Sequence, residues 1–255
     1  GVERVVLPSH DGMSVPPEAY DAAVDETTAA LVTSHVFYMS GAIQDIAGLA
    51  QVAHRRGALA VIDAYQATGQ LPTDVHAAGV DVLISGGLKW LLGGTGIALV
   101  YVRRDRIPDL RPTITGWFGN RRQFEFDPRG FEYWEDARRF ELGTTANAAV
   151  YACSAGLDIV LELGVPTIRR RTTELVTDLV ERLTDSGFEI RSPAEPDARA
   201  GIVMVPMRDP PRAVAELGDR GILVDYRHDR VRASPYFYNT PEDNEALVEG
   251  LRSLR

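Results

Sequence analysis

The chain has 255 residues, of which 45% are hydrophobic and 25% charged, the make-up of a globular protein with no segment forced into disorder. A formal net charge of -9 excludes a general nucleic-acid binder, which neutralises phosphates with clustered Lys and Arg. A lone cysteine, Cys153, excludes both an internal disulfide framework and a cysteine-rich zinc site.

The arginine pairs at 103–104, 121–122 and 138–139 and the run at 169–171 are interspersed with acids, as on solvated faces or in intersubunit pairs. No apolar run is long enough to span a membrane, and GVERVVLPSHDG carries no charged-then-apolar signal pattern, so a cytoplasmic location is the expectation. The chain starts almost directly on strand-like residues, with neither methionine nor cap before them, as a cut chain would.

In chain order, RVVLP (4–8) and TAALVTSHV (28–36) read as strands, separated by a helix over about 16–24 whose first turn suits Pro16 and Pro17. QDIAGLAQVAHRRG reads as a helix with Ile46, Leu49 and Val52 or Ala53 on one face and Gly57 placed to end it. ALAVID (58–63) and VDVLISGG (80–87) follow as strands. Their continuous apolar character predicts a parallel sheet buried on both faces. The short link from Gly87 to GIALVYVRR predicts that this last strand runs antiparallel.

Residues 105–146 form a loop-rich stretch with many aromatics and arginines, of the kind that is functional or interfacial. Helices over about 147–163, with Cys153 in a buried stretch, and 166–186 lead into a smaller unit. In it FEIRS, GIVMVPM, ILVDYR and RVRAS read as strands, with helices over about 210–218 and 241–253. The expected organisation is α/β: a large domain over 1–163 with a mostly parallel sheet, and a smaller α+β domain over 164–255.

Lys89, in SGGLKWLLGGTG, is the sole lysine of the chain. Arginine replaces lysine wherever only a solvated charge is wanted, but it cannot shed its proton and attack a carbonyl. A phosphate-binding loop would need Ser or Thr after the lysine, where Trp90 stands. Two readings stay open: a lysine capping a strand end, and a Schiff-base lysine for pyridoxal phosphate. The second requires a carboxylate against the ring nitrogen. Asp63, ending a buried strand, is a carboxylate that needs a cationic partner. Gln66, three residues on, could donate to the ring's phenolic oxygen. Asp63 and Lys89 are expected at or just beyond the carboxyl ends of adjacent or near-adjacent parallel strands, where open α/β sheets bind ligands.

The stretch VIDAYQATGQLPTDVHAAGVDVLISGGLKWLLGGTGIALVYVRRD resembles the core of class V aminotransferase-fold enzymes, the fold type I group that includes kynureninases, cysteine desulfurases and isopenicillin-N epimerase-like proteins. The likeness runs from VERVVLPSHDG to RVRASPYFYNTPED, and TGWFG and SPYFYNT are most similar to kynureninase-like members. It implies an incomplete fold type I large domain plus a small domain, lacking the upstream glycine-threonine turn that anchors the phosphate, so that the chain alone would bind the cofactor weakly. It further implies a pyridoxal-phosphate enzyme acting on an amino acid, in a homodimer with shared active sites. Lys89 would be the Schiff-base lysine, Asp63 the ring-nitrogen partner and Gln66 the neighbour of the ring hydroxyl. Thr144 or Thr145, in FELGTTAN, would reach the phosphate of the other subunit. Trp117 would lie by phosphate and substrate, and Arg232 would bind the substrate α-carboxylate. A non-catalytic piece of the same fold is the alternative. Leu88 stands where the group commonly has a histidine or tyrosine. A desulfurase would need an exposed cysteine, unlike Cys153.

Overall fold

The computed structural model describes all 255 residues. Helix α1 (Pro17–Ala23) starts on Pro17, and strand β1 (Ala30–Ser34) follows. Helix α2 (Ile46–Arg55) is capped by Asp45, whose carboxylate accepts from the Gly48 amide, and it buries Ile46, Leu49, Val52 and Ala53. It ends before Gly57, which takes a left-handed φ of 76°. Strand β2 (Leu59–Asp63), the one-turn helix α3 (Val75–Ala78), strand β3 (Val82–Gly86) and strand β4 (Ala98–Val102) complete the first sheet. Its order is β1-β2-β3-β4, the first three parallel and β4 antiparallel, as the short link after Gly87 predicts.

Residues 104–146 contain only short 3-10 turns and one isolated bridge, Asn120 to Tyr133. Helices α4 (Asn147–Leu163) and α5 (Val165–Asp185) lead to strand β5 (Val203–Pro206), helix α6 (Pro210–Asp219), strands β6 (Asp225–Arg227) and β7 (Arg230–Ala233), and helix α7 (Pro241–Arg252). The second sheet has the order β5-β7-β6 and is antiparallel throughout. One hydrophobic cluster joins α1, α2 and the first sheet to Ile168, Ile202, Met204 and Tyr236. A second joins the rest of α5 to the small sheet, α6 and α7. Helix α5 therefore contributes to both cores. No single helix is long and apolar enough to cross a membrane.

Three expectations are corrected. Residues 4–8 form no strand: they make no backbone hydrogen bond, and Val5 and Val6 are exposed, because a short apolar run does not supply the neighbouring edge that a strand needs. FEIRS forms no strand either; its single backbone link to β5 is Arg191 N–H to Met204 O at 2.9 Å, and the Met204 N–H goes to the Ser192 side-chain oxygen at 3.1 Å instead of continuing a ladder. Finally, the first sheet is covered on one face only. Ala60, Ile62 and Leu83 point into the core with α2, while Val32 and Val100, on the other face, remain 70% and 47% exposed.

The end of the sheet remote from Lys89 is fixed by Asp81, which is fully buried. It accepts from the Ala60 amide at 2.8 Å, from His54 Nε2 at 2.8 Å and from Arg106 Nε at 3.0 Å, with Arg103 Nη2 at 3.1 Å. Burial by itself would push this carboxyl up; the Ala60 amide, His54 and Arg106 together hold it below the ordinary range. One side chain thus ties α2, β2, β3 and the turn after β4, which sets the strand ends on which the site is built.

Candidate active site

Asp63 is the last residue of β2, and Lys89 sits three residues beyond the end of β3, the adjacent parallel strand. The Asp63 carboxylate is exposed rather than buried, and its Oδ1 accepts the Tyr65 amide at 2.8 Å. Oδ2 has no partner, so one oxygen orients the group and the other stays free. Lys89 Nζ lies 5.5 Å from the centre of the Tyr65 ring, within cation–π range. Gly86 makes this possible: a Cβ there would come 2.2 Å from Tyr65 Cε1.

Lys89 is exposed, yet partial desolvation lowers its ammonium below the ordinary lysine value, Asp63 pulls in the opposite direction, and Arg232 and Arg227 lower it further. The three charged neighbours come from separate elements, β2, β7 and β6. Charged groups of both sheets are therefore near enough to act on the lysine. Arg227 was not among the residues singled out from sequence. Its signal is alternation: on β6 it lies two residues from Asp225, on the same face as the residue that pairs in register with Arg232.

Gln66 is 8% exposed and points its side chain at Trp90, whose indole N–H donates to Gln66 Oε1 at 2.9 Å. The backbone carbonyl of Gln66 accepts from Gln70 Nε2 at 2.6 Å, and Gln70 Oε1 accepts the Gly201 amide at 2.7 Å. Tyr236, in SPYFYNT, stands edge-on to Trp90 with ring centres 5.0 Å apart. Its hydroxyl lies 2.9 Å from Gly69 O and 2.8 Å from Trp90 O, bridging the turn after Asp63 to the turn after Lys89.

The turn that carries Lys89 is itself held tightly. Leu92 adopts a left-handed φ of 56°, and Gly156 of α4 packs so closely on it that a Cβ would meet Leu91 O at 2.3 Å. Cys153 is 4% exposed and packs against Gly87 and Gly93, inside α4 as its sequence context predicts.

Arg232 already makes a two-point contact: Nε to Asp225 Oδ1 at 2.8 Å and Nη2 to Asp225 Oδ2 at 2.5 Å, across β6 and β7. Nη1 reaches Tyr38 O at 3.4 Å. With five N–H groups on a guanidinium, one on each terminal nitrogen is left free. Trp117 is not brought to Lys89 by any contact: its ring touches Phe118, Phe124 and Phe126, and its indole donates to Gln123 O at 2.8 Å. Thr144 and Thr145 are exposed and make no side-chain hydrogen bond.

A family model described as aminotransferase class-V matches residues 1–247. The chain belongs to the aminotransferase class-V family. Among curated relatives of this class-V chain, the uncharacterized aminotransferase YcbU of Bacillus subtilis (strain 168) is 34% identical over 96% of the chain and 64% of its own length. The kynureninase of Pseudomonas fluorescens is 33% identical over 84% of the chain and 53% of its own. Cysteine desulfurases and an isopenicillin N epimerase are further relatives, so the resemblance read from the VIDAYQ to YVRRD stretch holds. The chain spans less than two thirds of the length of these first relatives.

Among solved structures, the fold of the apo cysteine desulfurase from Thermococcus onnurineus NA1 superposes with a TM-score of 0.88 at 24% identity, over 97% of this chain and 65% of that one. A variant of C-DES with glycine covalently linked to its PLP cofactor superposes with a TM-score of 0.84 at 20% identity, over 94% of this chain and 64% of that one. These likenesses establish the α/β fold of pyridoxal-phosphate enzymes.

Proposed function

We infer that this class-V chain carries the part of a pyridoxal-phosphate enzyme that binds the cofactor's ring and the carboxylate of an amino-acid substrate. The observation that supports this most is the placement of the single lysine just beyond the end of β3 with Asp63 at the end of the adjacent parallel strand β2, the charge of Arg232 from β7 acting on the same ammonium. The residues fit the group: Lys89 is an amine with a lowered pKa, Asp63 Oδ2 is unpartnered, and the Gln66 amide nitrogen has no partner within the chain. When bound, pyridoxal phosphate supplies an electron sink that makes bonds at the substrate α-carbon labile.

The chain's own groups then have distinct tasks. Lys89 would hold the cofactor's aldehyde carbon and, once released by the substrate amine, move the proton at the α-carbon. Asp63 would hold the proton on the ring nitrogen through its free oxygen, and Gln66 would donate to the ring oxygen. The two free N–H groups of Arg232 would take the α-carboxylate end-on, with Asp225 fixing the guanidinium from the side. Exposed Thr144 and Thr145 suit a role in a homodimer, at the phosphate of the neighbouring subunit, with Trp117 alongside. Burial of Cys153 in α4 argues against a desulfurase that uses this chain's own thiol. Kynureninase-like side-chain cleavage, transamination, elimination and epimerisation would all begin with loss of the α-proton, which Lys89 would take, and would differ in where that proton returns and in whether a bond further along the substrate side chain breaks.

A screen of amino acids against the intact natural protein loaded with pyridoxal phosphate tests this reading. At least one amino acid should alter the visible absorption, and Arg232→Gln should weaken its apparent affinity by about tenfold or more, the value of a charge-assisted hydrogen bond. If no amino acid perturbs the spectrum, the assignment of an amino-acid substrate is wrong.

A further inference from the structure

Gln66 can meet a ligand in two ways, through its carbonyl or through its amide nitrogen, and an unrestrained side chain offers both. Here the choice is removed. The neighbour of Oε1 is the indole N–H of Trp90, which can only donate, so the oxygen must face Trp90 and the nitrogen must face the other way. That nitrogen has no partner in the chain and is not sealed from solvent. Both residues are more than nine-tenths buried, at 8% and 7% exposure. The indole is held in place by the edge of Tyr236, and the Gln66 backbone by the Gln70 and Gly201 chain of bonds. The pair also joins two turns of unlike origin: Gln66 follows Asp63 on one, and Trp90 is the immediate neighbour of Lys89 on the other.

We propose that Trp90 is a positioning residue that locks the Gln66 amide with its N–H groups toward the space between Asp63 and Lys89, so that this site favours a ring oxygen in its anionic form, the stronger hydrogen-bond acceptor. The proposal rests on the cofactor reading above and adds to it the residue that sets the polarity of the contact. A donor on the ring oxygen draws charge from it and so weakens its hold on a proton shared with the Lys89 nitrogen. Losing that donor should therefore raise the pH at which the visible band of the loaded protein changes.

The test uses the intact natural protein. Without cofactor, the Trp90 indole N–H, assigned by its loss in Trp90→Phe, should exchange slowly with solvent and become fast in Gln66→Leu. With pyridoxal phosphate bound, Trp90→Phe, which keeps the aromatic packing but not the N–H, should raise the midpoint of the visible pH titration by about half to one unit, the worth of one neutral hydrogen bond. In a Gln66→Leu background the same substitution should add no further shift. Gln66→Glu, which keeps the acceptor for Trp90 and loses the donors, should raise the midpoint while the indole stays protected, which covers the case in which Trp90→Phe fails to fold. An unchanged midpoint in both Trp90→Phe and Gln66→Glu, or an equal shift from Trp90→Phe with and without Gln66, would overturn the positioning role alone. Absence of any visible band in the wild-type protein would overturn the cofactor reading and the pair's role with it.

Discussion

Replacing His35 should change how the protein's stability depends on pH. His35 follows β1, is 7% exposed, and its Nδ1 has no hydrogen-bond partner. Burial brings its pKa down to about 4 from an ordinary 6.5, because the folded state has nothing to offer an imidazolium. The unfolded chain takes up a proton near the ordinary value and the folded one does not, so stability is fully present above the unfolded pKa and is lost as pH falls toward the folded one. Between about pH 7.5 and about pH 5 this single group should remove about 2 kcal/mol of stability, or about 4–8 °C in Tm for a chain of this length. Urea denaturation across that range, compared with His35→Leu, isolates the contribution, since other groups titrate alike in both proteins. The leucine also removes an orphaned polar atom and should itself be tolerated. If the difference between the two proteins stays constant from about pH 7.5 to about pH 5, to within roughly 0.5 kcal/mol, His35 is not held neutral by burial and the reasoning fails.

Two further perturbations bear on the site. Because the chain has one lysine, the pH dependence of acylation at Lys89, read by peptide mass, gives its titration directly; the midpoint should lie below the ordinary lysine value of about 10.4, fall further in Asp63→Asn and rise in Arg232→Gln. An unmoved midpoint in both variants would separate these groups. Gly156→Ala sets a methyl against the backbone of the turn at Leu91 and Leu92 and should cost about 1–3 kcal/mol in denaturant unfolding, whereas a loss under about 0.5 kcal/mol would mean that α4 does not clamp that turn.

How far the sequence reveals this molecule depends on the range of the interactions involved. The helix at Ile46–Arg55 and the strands ending at Asp63 and Gly86 carry their signals locally, in caps and apolar runs, so the adjacency of Asp63 and Lys89 could be read before any coordinates. Residues 4–8 look like a strand by the same local criteria and are not one, because pairing is a property of the neighbour. The apolar runs of β2 and β3 suggest two covered faces, yet apart from Gly86 at the end of β3 only one set of alternate residues is buried, and composition alone carries no record of what covers the other. The Gln66–Trp90 bond spans 24 positions and the Tyr236 bridge to Trp90 spans 146, separations at which periodicity is silent. Arg232 shows a limit of a different kind. Its type and strand suit a carboxylate ligand, but only the coordinates reveal that Asp225 occupies one of its edges.

The account stands most directly on whether Lys89 is the point of attachment. Titrating the intact natural protein with pyridoxal phosphate and recording its visible absorption, then fixing the product with borohydride and mapping the labelled peptide, tests this in one experiment. The account predicts a visible band, a label confined to the peptide containing Lys89, and loss of both in Lys89→Ala. A band that survives Lys89→Ala, or a label on another amine, would contradict it.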